Sequence, residues 1–133
     1  MPETLTTGPF VVPAVTPGTN EPPITLLVVL SNPTSQWKSV TVYANTCPSS
    51  RGVPACEAPL PNSPLAITIP PGTCNLLNFS GYEAGDTLRV TIEGDIAKEA
   101  GEVEVSIVGR TSSGVHEPTM HFSHQHFLSI PAH

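Results

Sequence analysis

From Ile24 onward, apolar and polar residues alternate along this chain in runs of the length a β-strand needs. Residues 87–94, TLRVTIEG, are the clearest case, with Leu88, Val90 and Ile92 on one side and Arg89, Thr91 and Glu93 on the other. A period of two sends successive side chains to opposite faces, so the run predicts a strand with one face buried. Residues 102–110 repeat the pattern through Val103, Val105 and Ile107, and residues 39–45 through Val40, Val42 and Ala44. Residues 64–73 carry it through Leu65, Ile67 and Ile69 into a Pro-Pro-Gly turn, and residues 74–80 form a shorter, less regular run. Residues 24–32, ITLLVVLSN, hold a continuous apolar run, Leu26–Leu30, which suits a strand covered on both sides, although periodicity alone does not exclude a short helix. The last run, 120–130, puts Met120, Phe122, His124, His126, Leu128 and Ile130 on one face of a regular strand. Only residues 95–102 hint at a helical turn. Seven or eight short strands punctuated by turns predict an all-β protein, an antiparallel β-sandwich or jelly roll.

Proline then divides the chain. Fourteen of the sixteen prolines lie in residues 1–71. Residues 1–23, rich in Pro, Thr and Gly, hold a single apolar island, Phe10, Val11 and Val12. Proline disfavours helix and central strand, so residues 1–23 are expected to be an extended N-terminal arm and 24–133 the β-sandwich domain. The arm retains the option of a short edge strand.

Composition narrows the function. Charged residues make up 12% of the chain and the formal net charge is −6, with only five scattered cations. No basic patch exists to meet nucleic acid or an anionic membrane, and no apolar run is long enough to span a bilayer. No basic region followed by an apolar core marks a secretory signal. Sparse charge also leaves strand edges weakly protected against pairing with another chain, a hazard in a monomer and an asset in a polymer.

Candidate chemistry is thin. There is no GxSxG elbow, HExxH, P-loop or GxGxxG, so the chain is read as a non-enzyme with no cofactor. His124 and His126, at i and i+2, would point the same way from a regular strand and are the candidate metal ligands. No acidic residue follows them, so a complete site would need His133 or groups from a neighbouring subunit. The plainer reading is that they pack or hydrogen-bond as strand residues. Seven carboxylates crowd residues 83–104, but they lack a D-x-D-x-D loop and read as a solvated acidic face before a calcium site. Cys47 and Cys56 bracket a Pro/Gly/Ser loop that a disulfide would close, leaving Cys74 free or bonded between chains; three reduced thiols are the alternative. Trp37, in a turn, is either a lid on the end of the sandwich or an exposed platform.

TGPFVVP near the start, VTVYANT, ITIPPGTC, LRVTIEGD, VEVSIVGR and a closing aromatic-His strand together resemble small β-sandwich surface proteins of spore-forming Firmicutes, including endospore appendage fibre subunits. The resemblance implies a jelly-roll subunit made without a signal peptide and placed outside the cell or on the spore surface. It also implies assembly by strand augmentation, with an N-terminal connector docking into neighbours. Its partners would be copies of itself, with other spore-surface proteins as further candidates. Phe10, Val11 and Val12 would anchor the connector, and the family's connector cysteines are absent from residues 1–23. The expected function is therefore a self-assembling structural subunit, with Cys47, Cys56 and Cys74 as potential covalent locks and strands around 24–30 and 120–130 as candidate edges. The alternative is a surface module binding carbohydrate or calcium through Trp37 or the acidic region, and a third reading is a small histidine-metal enzyme.

Overall fold

The computed structural model describes residues 3–47, 57–99 and 101–130. Among them run eleven strands: β1 Glu3–Thr6, β2 Phe10–Val11, β3 Thr25–Ser31, β4 Lys38–Cys47, β5 Ala58–Pro59, β6 Leu65–Ile69, β7 Cys74–Phe79, β8 Thr87–Gly94, β9 Glu104–Arg110, β10 His116–Ser123 and β11 Leu128–Ile130. A 3-10 turn, His124–His126, joins the last two. All strand pairings are antiparallel. One sheet has the order β11-β1-β8-β4-β5, with β2 also on β8 and β6 also on β4; the other has the order β10-β9-β3-β7. No described helix is long and apolar enough to cross a membrane.

The inner faces of the two sheets share one apolar core, the arrangement of a β-sandwich. Alternation does the sorting: Leu26, Val28 and Leu30 of β3, and Val90 and Ile92 of β8, are fully buried, while their neighbours along each strand face out. Ile96 and Val103, linked by an isolated bridge, close the core between β8 and β9 without forming the helical turn expected there. Gly94 ends β8 with φ +117°, and a Cβ there would lie 2.6 Å from the Ser39 carbonyl oxygen, so only glycine fits.

The strands read from alternation appear near their expected places, with β6 ending at Ile69 and with eleven strands, several of two to four residues, described where seven or eight were expected. Three features differ. First, the segment expected as an arm contributes to the chain's own sheet. β1 lies between β11 and β8, pairing Thr4 with Ile130 on one side and with Glu93 on the other. Phe10 and Val11 pair with Leu88 and Thr87. Pro9 and Pro13 flank this short pairing without interrupting it, so the prolines leave the ladder intact. Second, β3 is central: it pairs with β7 along one side and β9 along the other. Residues 24–30 are therefore no sheet edge, and their continuous apolarity reflects an apolar outer face as well as a buried inner one. Third, the run 120–130 is broken by the 3-10 turn, which carries the chain from one sheet to the other. His124 and His126 consequently share no strand face.

Candidate interaction surfaces

The sandwich has two open sides. On one, β6 and β7 are consecutive edge strands joined by the Pro70–Thr73 turn; on the other stand β10 and β11. Their backbones differ in how they are protected. β10 carries Pro118, and its register against β9 shifts between Glu117 and Phe122. Proline and bulges are what proteins use to stop an edge from recruiting another strand. β7 has neither. Its six residues, CNLLNF, pair with β3 from Leu26↔Phe79 to Ser31↔Cys74 with no shift, and none is charged. Its other backbone edge meets no described strand, and Leu76 beside it is 61% exposed.

Phe10 and Val12 are buried in the chain's own core, and the Phe10 ring sits 5.0 Å, centroid to centroid, from that of Phe122. Val11, between them, is exposed. Cys74 opens β7 and is exposed; Cys47 ends β4 and is half-buried, and both are free thiols. Cys74 lies opposite Ser31, at the end where β4 begins, whereas Cys47 lies ten residues along β4 at the far end. A disulfide needs Cα atoms within about 7 Å, so these two cannot join within one chain. Cys56 and His133 lie outside the described residues.

The histidine pair dissolves into separate hydrogen bonds. The Val105 N–H donates to Nδ1 of His124 at 3.2 Å. Nδ1 is thus the acceptor, which puts the ring proton on Nε2, 2.7 Å from the Ala97 carbonyl oxygen. With both nitrogens committed to backbone, His124 has no lone pair for a metal. His126 turns back, its Nδ1 accepting from the Ser123 N–H at 3.1 Å. Lys98 donates to the carbonyls of Gln125 and Phe127, and Phe127, fully buried, plugs the core. The histidine turn is a clasp between the sheets. No group of three metal-ligating side chains occurs among the described residues.

Three carboxylates of the acidic stretch are likewise engaged locally. Glu102 pairs with Lys38 at 3.0 Å, Asp95 accepts from the Ser39 N–H at 2.8 Å, and Glu93 accepts from the Tyr43 hydroxyl at 2.6 Å. That hydrogen bond, with burial and the carboxylate's charge behind it, raises the Tyr43 pKa. A shallow groove of about 810 Å³ on the larger sheet is lined by hydroxyls, by the apolar Val40, Ala66, Ile67 and Ile130, and by Glu3 and Glu93, with no cation. Trp37 is 66% exposed, so it is a projecting tip and no lid. Its turn is rigid: the fully buried Asn32 amide donates to the carbonyls of Gln36 and Ile69 and accepts from the Thr34 N–H and hydroxyl.

Sequence reasoning passed over two features. One is the β7 edge, whose signal was an uncharged strand without proline. The other is Glu117, a carboxylate only 1% exposed within the β10 bulge. Burial raises its pKa, but the Thr119 N–H at 3.0 Å and hydroxyl at 2.7 Å, with the Thr16 hydroxyl facing it, outweigh burial and hold the group below the ordinary 4.5. The carboxylate supplies the acceptor that the bulge removes from the ladder.

No protein-family model matches the chain, and no curated protein matches it.

Proposed function

We propose that this chain is a structural, non-enzymatic subunit that self-associates by β-strand augmentation into a fibre or layer outside the cell or on a spore surface. The observation that carries the reading is β7: an uncharged, unbulged edge of six residues with no described strand on its outer side. Such an edge accepts another strand through main-chain hydrogen bonds, and natural monomers normally block it. The occupant is β11 of another copy, on the opposite side of the sandwich, since Pro118 and the bulge protect β10. A contact between two different edges is heterologous, and when its rotation does not close it propagates as a filament.

Residues 3–12 take part by exchange. Each copy has a seat for β1 and β2 along β8, and the proline-bearing stretch 13–23 links that seat to β3. A neighbour's Phe10, Val11 and Val12 fit the same seat by identity, which makes the exchange a domain swap. In this reading the sandwich is of the jelly-roll kind that the resemblance implies, and the exposed Cys74 lies beside the augmenting edge, where a covalent lock between chains would act.

The test is a lysine placed on the edge. Asn75 is half-buried on β7, and Asn75→Lys introduces the inward-leaning charge with which native edges resist pairing. Filaments of the wild-type protein should vanish in this variant while its circular dichroism stays that of a folded β-protein. Filaments of normal length in folded Asn75→Lys would remove β7 as the augmenting edge.

A further inference from the structure

The outer face of the smaller sheet combines exposed apolar residues with two opposite charges. On β3 the outward residues are Thr25, Leu27, Val29 and Ser31, since Leu26, Val28 and Leu30 point into the core. On β9 they are Glu104, Ser106, Val108 and Arg110, and on β7 they are Cys74, Leu76 and Asn78. The register joins them into rows. Leu27 lies between Val108 and Asn78; Val29 lies between Ser106 and Leu76. Leu27, Val29 and Leu76 thus form an apolar centre, beside which Val108 is already buried in the single chain, at 8% exposed. Hydroxyl and amide groups surround it, and on these three strands only Glu104 and Arg110 carry charge.

Those two charges sit at opposite ends. Arg110 is level with Thr25 and Glu104 with Ser31, so the midpoint of the face falls over Val28 and Ile107. We propose that two copies stack these faces about a two-fold axis running across the strands through that midpoint. The operation lays β9 over β9 of the second copy in the opposite direction. Glu104 then meets Arg110 of the second copy, twice by symmetry, and Leu27 meets Val29 of the second copy, also twice. The alternative stacking, with strands running the same way, would set Glu104 toward Glu104 and Arg110 toward Arg110 along their length. Charge therefore selects the antiparallel arrangement.

Dimensions are consistent with this. Six residues of strand separate Glu104 from Arg110, roughly 20 Å, and stacked sheets sit about 10 Å apart. The usual angle of about 30° between stacked sheets displaces each end by roughly 5 Å, within the reach of Arg and Glu side chains. Four strands about 4.8 Å apart and roughly 20 Å long give a flat face of about 400 Å² per copy. That places the contact at the weak end of specific interfaces, so pairing depends on protein concentration. The contact differs from edge augmentation but shares its premise that copies of the chain associate.

Sedimentation velocity of the full chain over a concentration series tests it, in the wild type and in the Asn75→Lys background that blocks the edge. Glu104→Arg or Arg110→Glu alone turns both attractions into repulsions and should weaken pairing by about tenfold, while the double reversal restores it. Val29→Lys should abolish pairing without touching either charge. Single reversals without effect, a double reversal that does not restore pairing, or a wild type monomeric throughout would overturn the proposal. Pairing that persists in Asn75→Lys, with filaments formed by neither that variant nor the wild type, would instead refute edge augmentation and leave the face contact standing.

Discussion

Leu5→Ala asks directly whether the N-terminal segment belongs to the fold of its own chain. Leu5 is fully buried, in a strand flanked by β11 and β8. Truncating a fully buried leucine removes its transfer free energy and leaves a cavity, together about 3 kcal/mol. A domain of this size is stable by roughly 5–15 kcal/mol, so the loss is substantial. With a urea dependence of about 2 kcal/mol per M, the unfolding midpoint should fall by about 1.5 M. The assay is urea unfolding followed by circular dichroism, at a protein concentration low enough to keep the chain monomeric. Val11→Ala, at an exposed position of the same segment, serves as the control and should shift stability by no more than about 0.5 kcal/mol. If Leu5→Ala matched Val11→Ala, residues 3–12 would be a free arm and the strand order at the centre of the larger sheet would be wrong. The same reasoning makes deletion of residues 1–23 a poor test of assembly: it removes a strand from inside the sheet and strips β11 of its partner.

Further outcomes follow from polar groups held within the fold. Glu117 has a pKa lowered on folding, so its contribution to stability is present above the ordinary carboxyl value of 4.5 and is lost as pH falls through the lowered one. Glu117→Gln should therefore cost about 1–2 kcal/mol at neutral pH and progressively less in acid, read from urea midpoints; an equal cost at both ends would refute the ionised assignment. His124→Phe orphans the Val105 N–H and the Ala97 carbonyl and should cost about 1–3 kcal/mol. Exposure of the wild type to a chelator should leave its melting temperature unchanged, and a fall would revive a metal role. Tyr82 is 7% exposed, and its hydroxyl has no hydrogen-bond partner among the described residues. Burial penalises the charged form and pushes its pKa far up, so the fold loses stability as pH rises past the unfolded value of 10.0. Tyr82→Phe should be neutral or stabilising at pH 7 and should lose less stability than the wild type in alkali; marked destabilisation at pH 7 would mean that the hydroxyl has a partner.

What the sequence disclosed was whatever alternation controls. Leu88, Val90 and Ile92 announce β8 because a half-buried strand needs that period and nothing else competes. Where a local signal has two physical meanings, the reading parted from the structure. The prolines around Phe10 suggested a free arm because proline removes ladder donors, yet Pro9 and Pro13 sit outside the paired residues. The i, i+2 spacing of His124 and His126 implies a shared face only in a regular strand, and the turn after Ser123 cancels it. The apolar run Leu26–Leu30 suggested a strand covered on both sides, whereas only Leu26, Val28 and Leu30 are packed in the core and Leu27 and Val29 lie on the half-exposed outer face. Register across strands is long-range information, and the neighbouring of Leu27 with Val108 and of Val29 with Leu76 emerges only once β7, β3 and β9 are paired.

Negative-stain electron microscopy of the purified full-length chain, alongside folded Asn75→Lys, tests the central claim most directly. Extended filaments or ordered layers are expected from the wild type and none from the variant. Discrete, unassociated particles from the wild type at high protein concentration would contradict self-assembly.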